Sequence, residues 1–197
     1  MGEPYACRVA RPIVLGTANA AKQEQLRWLL SGLPLDPVLV PPLPVAEDAP
    51  DLAGNAAAKA LAYSAGGLAI ASDGGLEAPA LGPAWDPVLT RRQGQSRLRE
   101  LASGLADRRA HWSEAVAIAE GGQVLAVWTE SGTEGALARE PWPPPSDFWV
   151  WDIFLFPSLG KTWAALTASE RDLVDLTWTR LRERVQAFFA AYEVPSL

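Results

Sequence analysis

Ile13-Val14-Leu15-Gly16-Thr17-Ala18-Asn19-Ala20-Ala21-Lys22 reads as a short strand that turns into a helix. Ile13-Val14-Leu15 favours extended backbone, and Gly16-Thr17 ends it. From Ala20 to Ser31 the pattern is helical, with Leu26, Leu29 and Leu30 on one face and Gly32 as the stop. At such a turn, backbone N–H groups and the positive end of the helix dipole can hold phosphate. Asn19 and Lys22 add side-chain donors. The G-x-x-x-x-G-K-[ST] pattern of a P-loop is absent. The competing reading is an ordinary helix cap with a surface lysine.

Working outward, Leu35 to Val40 is a second strand candidate, and the proline-rich stretch from Pro41 to Pro50 is a loop. Asp51 can cap an Ala-rich helix running to Gly66-Gly67. Leu68-Ala69-Ile70-Ala71 reads as a buried strand. Asp73 then falls just past its C-terminal end, within the Gly-rich turn Ser72-Asp73-Gly74-Gly75-Leu76. Ligands bind at that edge in open α/β sheets. Leu76 to Thr90 is irregular, and a helix is expected from about Ser96 to Ala106. Trp112–Ala119 and Val124–Thr129 flank a Gly-Gly turn and read as a hairpin. Ala136-Leu137 can begin another short strand, and Pro141 to Pro145 is a stiff loop. Trp149 to Phe156 is aromatic and apolar. Thr167-Ala-Ser-Glu170 is a capping box opening a long helix whose apolar stripe runs to Tyr192.

The 197 residues suggest one α/β domain, 1–197, with two lobes around a cleft. A hydrophobic content of 49% and nine Trp supply a sizeable core. A net charge of −6 argues against a large nucleic-acid surface, though not against a small anionic ligand. The single Cys7 has no internal disulfide partner, and no Cys/His cluster suggests zinc. No stretch has the length of a membrane span. The expectation is a cytoplasmic protein without membrane or nucleic-acid partners.

The chain has only three lysines, Lys22, Lys59 and Lys161, in an otherwise Arg-rich composition. Lysine is a compact point charge suited to phosphate oxygens. Each lies in a short polar motif: Thr17-x-Asn19-x-x-Lys22, Gly54-Asn55-Ala-Ala-Ala-Lys59-Ala60 and Pro157-Ser-x-Gly160-Lys161-Thr162. Lysines for phosphates and Asp73 for metal or water together suggest a nucleotide hydrolase. Mg²⁺, which takes carboxylate and water ligands, would offset a triphosphate's charge. Phe148, Trp149 and Trp151 could stack on a base or simply fill the core. Lys59 and Arg171 could equally be solvated helix residues, and Lys161 could merely end a loop. His111 has no nucleophile or metal partner pattern and reads as structural.

The order of these pieces resembles the inosine triphosphate pyrophosphatase family, which hydrolyses non-standard purine nucleoside triphosphates. Thr17, Asn19 and Lys22 match its T-x-N-x-x-K turn. Asn55, Ala56, Lys59 and Ala60 match its E-N-A-x-x-K-A helix, with Gly54 in place of Glu. Asp73, Gly75 and Leu76 match its D-D-S-G-L-type motif, with Ser72 in place of one Asp. Phe148-Trp-Val-Trp151-Asp152-Ile-Phe154 and Pro157 to Thr167 match its later motifs. The resemblance covers roughly residues 12 to 190. It implies an elongated α/β fold, a central mixed twisted sheet flanked by helices, and usually a homodimer. It also implies Glu47, in the loop after the second strand, as a metal ligand beside Asp73. Asp48 and Asp51 lie near enough to compete. Thr17, Asn19, Lys22, Lys59, Lys161 and Arg171 would hold substrate, and Asp152 would lie near the base.

Several positions depart from the family pattern. Leu176-Thr177 stands where the family has a purine-reading His-Arg pair. Pro145-Ser146-Asp147 replaces two glycines, the Pro after Asp152 is missing, and Arg171 takes the place of a Lys. Two readings follow. One is a Mg²⁺-assisted nucleoside triphosphate pyrophosphatase, with water attacking the α-phosphorus and a base preference unlike the usual purine set. The other is a catalytically degenerate nucleotide-binding or interaction protein on the same fold.

Overall fold

The computed structural model describes residues 10–140 and 145–192. Cys7 and most of the expected Pro141–Pro145 loop lie outside them. β1 (Arg11–Leu15) leads through α1 (Ala20–Leu30) to β2 (Leu35–Val38). α2 (Leu52–Tyr63) and β3 (Leu68–Glu77) follow, then two short 3₁₀ turns and α3 (Thr90–Ala102). β4 (Arg109–Glu120) and β5 (Gln123–Ser131) form the hairpin, with Gly121 and Gly122 at φ 56° and 80° in its two-residue turn. β6 (Gly135–Leu137), α4 (Val150–Ile153), β7 (Phe154–Phe156), β8 (Lys161–Thr162), α5 (Ala168–Val174) and α6 (Leu176–Ala191) complete the chain.

The sheet is mixed, in the order β2-β1-β3-β4-β6-β7-β8. β1 runs parallel to both β2 and β3, and β4 runs antiparallel to β3. β5 pairs with β4 from Ser113 onward, while the start of β4 pairs with β6. β4 is therefore the spine of the fold, and its composition sets what lies on each face. Successive strand side chains point to opposite faces. Val116 and Ile118 join Leu26, Leu29, Leu30, Trp178 and Leu181 in the core under α1 and α6. Ala115, Ala117 and Ala119 face α2, whose Ala56 and Ala60 are fully buried against them. Small residues on both sides let α2 lie close to the sheet. An aromatic core holding Trp85, Phe154 and Phe156 fills the far end.

Three expectations need correction. Asp73 does not follow a strand in a turn. β3 continues through it to Glu77, paired residue by residue with β4, and Asp73 stands opposite Ala115. The glycines at 74 and 75 serve close approach instead. A Cβ on Gly74 would lie 2.0 Å from Glu114 Oε2, and one on Gly75 would lie 2.2 Å from the Pro87 carbonyl oxygen. The helix expected from about Ser96 to Ala106 is the part of α3 after a kink at Gly94 (φ 77°), and it ends earlier than expected, at Ala102. The long C-terminal helix is two helices, broken at Asp175 (φ −86°, ψ 66°), although the capping box of Thr167 and Glu170 forms as read.

Candidate functional site

Asn19 caps α1, its Oδ1 accepting the Lys22 backbone N–H at 3.2 Å, while Thr17 Oγ1 accepts from the Asn19 amide at 3.2 Å. These local bonds fix the turn and aim Lys22 across the sheet edge. Lys22 Nζ meets Glu114 Oε1 at 2.9 Å. Glu114, 2% exposed, also accepts from Trp112 Nε1 at 3.0 Å.

From the other side, Asp51 caps α2 through Gly54 N at 2.7 Å. One turn on, the buried Asn55 does two things. Its Oδ1 accepts from Ala49 N at 3.1 Å, and its Nδ2 donates to Asp73 Oδ2 at 3.2 Å. It thus ties the loop carrying Glu47 to the strand carrying Asp73. Lys59, a further turn along, donates to Asp73 Oδ1 at 2.8 Å and pairs with Glu47 Oε1 at 2.6 Å. Burial works to raise the Glu47 carboxyl, yet Lys59, with Arg92 and Lys22 beyond, holds it below its usual range. Burial likewise disfavours the Lys59 ammonium, but Asp73 and Glu47 together raise its pKa.

These groups line one cleft of about 310 Å³. Thr17, Asn19, Lys22, Glu47, Lys59 and Asp73 share its charged end, with Arg91 and Arg92 at the rim. Phe148, Trp151 and Trp112 form its aromatic wall. The Trp112 ring lies edge-on to Phe148 at 5.7 Å and to Trp151 at 4.9 Å.

Four of the residues expected to hold substrate do not line this cleft. Trp149 sits at the N-cap of α4 and packs on the far aromatic core. Asp152 is buried, and its Oδ1 accepts the Ser146 amide at 2.7 Å, so it fixes the loop before α4. Lys161 pairs with Glu170 at 2.7 Å, and Arg171 lies 5.7 Å over the Trp163 ring. Asp48 and Asp51 also stand outside the lining, the latter occupied as a cap. His111 meets Glu77 at 3.1 Å, away from the cleft.

Sequence reasoning missed Glu114, Trp112, Gln25 and Trp178, all of which line the cleft. Glu114 carried a faint signal, as a charge directly before the apolar run Ala115–Ala119. Its partner Gly74 becomes visible only in the β3–β4 register.

Fold and site together define a mixed-sheet α/β protein with an anion-ready, aromatic-walled cleft. The sequence model of the Ham1 family matches residues 13–182. A dITP/XTP pyrophosphatase of Gloeobacter violaceus is 36% identical over 171 residues, covering 82% of this chain and 86% of that one. A second protein of that name, from Prochlorococcus marinus, is 33% identical over 170 residues, 82% of this chain and 83% of its own. The solved structure of a HAM1 protein from Coxiella burnetii superposes with a TM-score of 0.76 at 26% identity, covering 92% of this chain and all of that one. The chain belongs to the Ham1 family.

Proposed function

We propose that this chain is a nucleoside triphosphate pyrophosphatase, cleaving its substrate to a monophosphate and pyrophosphate. The observation that carries this reading is the convergence of Lys22, Lys59, Glu47 and Asp73, from four separate segments, on one cleft. The names of the family members above support the same reaction class.

Phosphate oxygens would lie at the N-terminus of α1, held by backbone N–H groups, Asn19 and Lys22. Asp73 would accept a proton from a water attacking the α-phosphorus. As the new P–O bond forms, the bond from that phosphorus to the bridging oxygen breaks, and pyrophosphate leaves with the electron pair. Lys59 and Asn55 each hold one Asp73 oxygen and so fix its orientation.

Glu47 and Asp73 already converge on one cation, the Lys59 ammonium, so their donor set suits a second, divalent one. Mg²⁺ held by these two carboxylates would supply charge neutralisation for the triphosphate. The single domain expected from the sequence, its two lobes flanking the cleft, and a cytoplasmic homodimer belong to the same proposal. Among the described residues no helix is long and apolar enough to cross a membrane.

The test is pyrophosphate release from a panel of nucleoside triphosphates, with and without Mg²⁺, by the wild type and Asp73→Asn. Metal-dependent release that vanishes in the variant is expected. A folded wild type that releases none from any triphosphate would overturn the hydrolase reading and favour a binding protein.

A further inference from the structure

Beyond its aromatic wall, the cleft continues into a narrow recess of about 30 Å³ beneath the break between α5 and α6. Trp112, Trp151 and Trp178 border both spaces, so a ring stacked in the cleft would push one edge into the recess. Four polar side chains line it, Gln25 of α1, Thr133, Asp175 from the break itself and Thr177 from the first turn of α6. Thr133 is already engaged, its hydroxyl donating to the Val174 carbonyl at 2.9 Å. Of the family's expected His-Arg pair, then, the position of Thr177 faces this space, while Leu176 is partly exposed and does not line it.

Among the described residues the Asp175 carboxyl has no ion-pair partner and no hydrogen bond from another side chain, and the Trp178 amide in the first turn of α6 is the group that bonds to it. One amide leaves most of a largely buried carboxylate's acceptor capacity for a ligand or water to fill. An ionised carboxylate offers acceptors only, and its two oxygens match two adjacent N–H donors. A threonine hydroxyl can donate to a carbonyl oxygen.

We propose that Asp175 reads the base, and that with Thr177 it selects a 6-oxopurine carrying a 2-amino group. The ring N–H and the 2-amine of such a base donate side by side to the carboxylate, and its carbonyl accepts from the hydroxyl. Hypoxanthine offers one donor instead of two. Xanthine turns a second carbonyl toward the carboxylate and is repelled. Adenine presents an acceptor where a donor is needed. The chemistry covers guanine and its ring-modified forms alike. The preference order therefore differs from what the names of the cyanobacterial relatives indicate for those proteins. The inference takes its reaction from the hydrolase reading and its base from the recess alone.

Burial pushes the Asp175 carboxyl up to about 6, against the pull of the Trp178 amide and helped by Glu114 on β4 and Asp172 on α5. Glu24 on α1 faces the same groove outside the recess. Selectivity should therefore be full at pH 8 and fade as the pH falls through about 6.

The experiment compares kcat/KM for guanosine, inosine, xanthosine and adenosine triphosphates in the wild type and Asp175→Asn. Binding of the four monophosphates to both proteins is measured by calorimetry at pH 8 and pH 5.5. The wild type should favour guanosine over inosine by roughly tenfold or more, the value of one hydrogen bond to a charged group. Asp175→Asn should bring that ratio close to one. If no triphosphate is cleaved but the monophosphates bind with this order, the hydrolase reading fails and the base assignment stands. An unchanged ratio in a folded Asp175→Asn overturns the assignment, as does failure of every nucleotide to bind. Should the variant not fold, loss of the wild-type ratio at pH 5.5 supports the proposal and its persistence overturns it.

Discussion

Gly74→Ala adds one methyl group at the point where β3 and β4 bring the site together. The new Cβ would fall 2.0 Å from Glu114 Oε2, 2.8 Å from its Cδ and 2.7 Å from Trp112 Cζ2. Glu114 cannot yield freely, because Lys22 holds one carboxylate oxygen at 2.9 Å and Trp112 the other at 3.0 Å. The methyl must evict the carboxylate or bend the strand. Breaking a buried ion pair costs about 3–5 kcal/mol, and overpacking costs about 1–3. Lys22 keeps 21% of its side chain in solvent, which lowers the first figure. A loss of about 2–4 kcal/mol remains, a fall in Tm of roughly 5–15 °C for a chain of this size. Pyrophosphate release should fall as well, since Lys22 loses its anchor. The assay is thermal unfolding of Gly74→Ala, Glu114→Ala and the double variant. Truncating Glu114 removes two of the three close contacts and leaves only the edge of the Trp112 ring, so the double variant should lose far less than the sum of the two single losses, a strong departure from additivity. Additive losses, or a Gly74→Ala protein with wild-type Tm, would refute the reasoning.

Asp51→Ala removes the N-cap of α2 and should cost about 1 kcal/mol, read as a drop of a few degrees in Tm at neutral pH. Glu170 is held down to about 2 by its hydrogen bonds to Lys161 and to Thr167, so its contribution to stability is present above its ordinary value of 4.5 and is lost as the pH falls toward 2. Unfolding curves of Glu170→Gln between pH 5 and pH 2.5 should accordingly show a shallower acid dependence than the wild type. Asp175 has the opposite sign. Its carboxyl, raised from 3.8 to about 6, keeps its proton in the folded state, so its contribution falls as the pH rises between those values. Asp175→Asn should therefore be more stable than the wild type at pH 7.5, by on the order of 1–3 kcal/mol, and a lower Tm there would count against a carboxyl whose burial outweighs its bond from the Trp178 amide.

Where structure is set locally, the sequence announces it. Asn19, Asp51 and Thr167 each cap the helix their position indicates, and the Gly121-Gly122 hairpin forms where the turn chemistry puts it. The charged end of the cleft was legible for the same reason, since Lys22 and Lys59 ride on those capped helices. What could not be read depends on pairing between distant segments. Ser72-Asp73-Gly74-Gly75 has poor strand propensity and looks like a turn. Ten residues of pairing with β4 override it. Glu114 enters the site through that same register. The break at Asp175 is equally non-local, because the apolar stripe from Leu173 to Tyr192 continues across it and gives no stop signal. Lys161 and Asp152 show the converse. Their motif context suggested substrate, but near neighbours, Glu170 and the Ser146 amide, already occupy them.

Asn55 separates two things that usually travel together in a loop, its course and its function. Between β2 and α2 the chain has no regular structure, yet its backbone is tied to Asp73 by one amide side chain reaching out of a helix, and Lys59 of the same helix joins the two carboxylates themselves. The prolines upstream are held at one point, where the Leu43 amide donates to the Tyr63 hydroxyl at 2.7 Å, so changes on either side of it alter the spacing of the two acids least. The helix position cannot drift. Asn55→Asp would set a carboxylate against Asp73 and offer the Ala49 amide the only bond it could still make. Natural variation in this protein should thus be more permissive among Pro41, Pro42 and Pro44 than at Asn55, a residue that does not line the cleft.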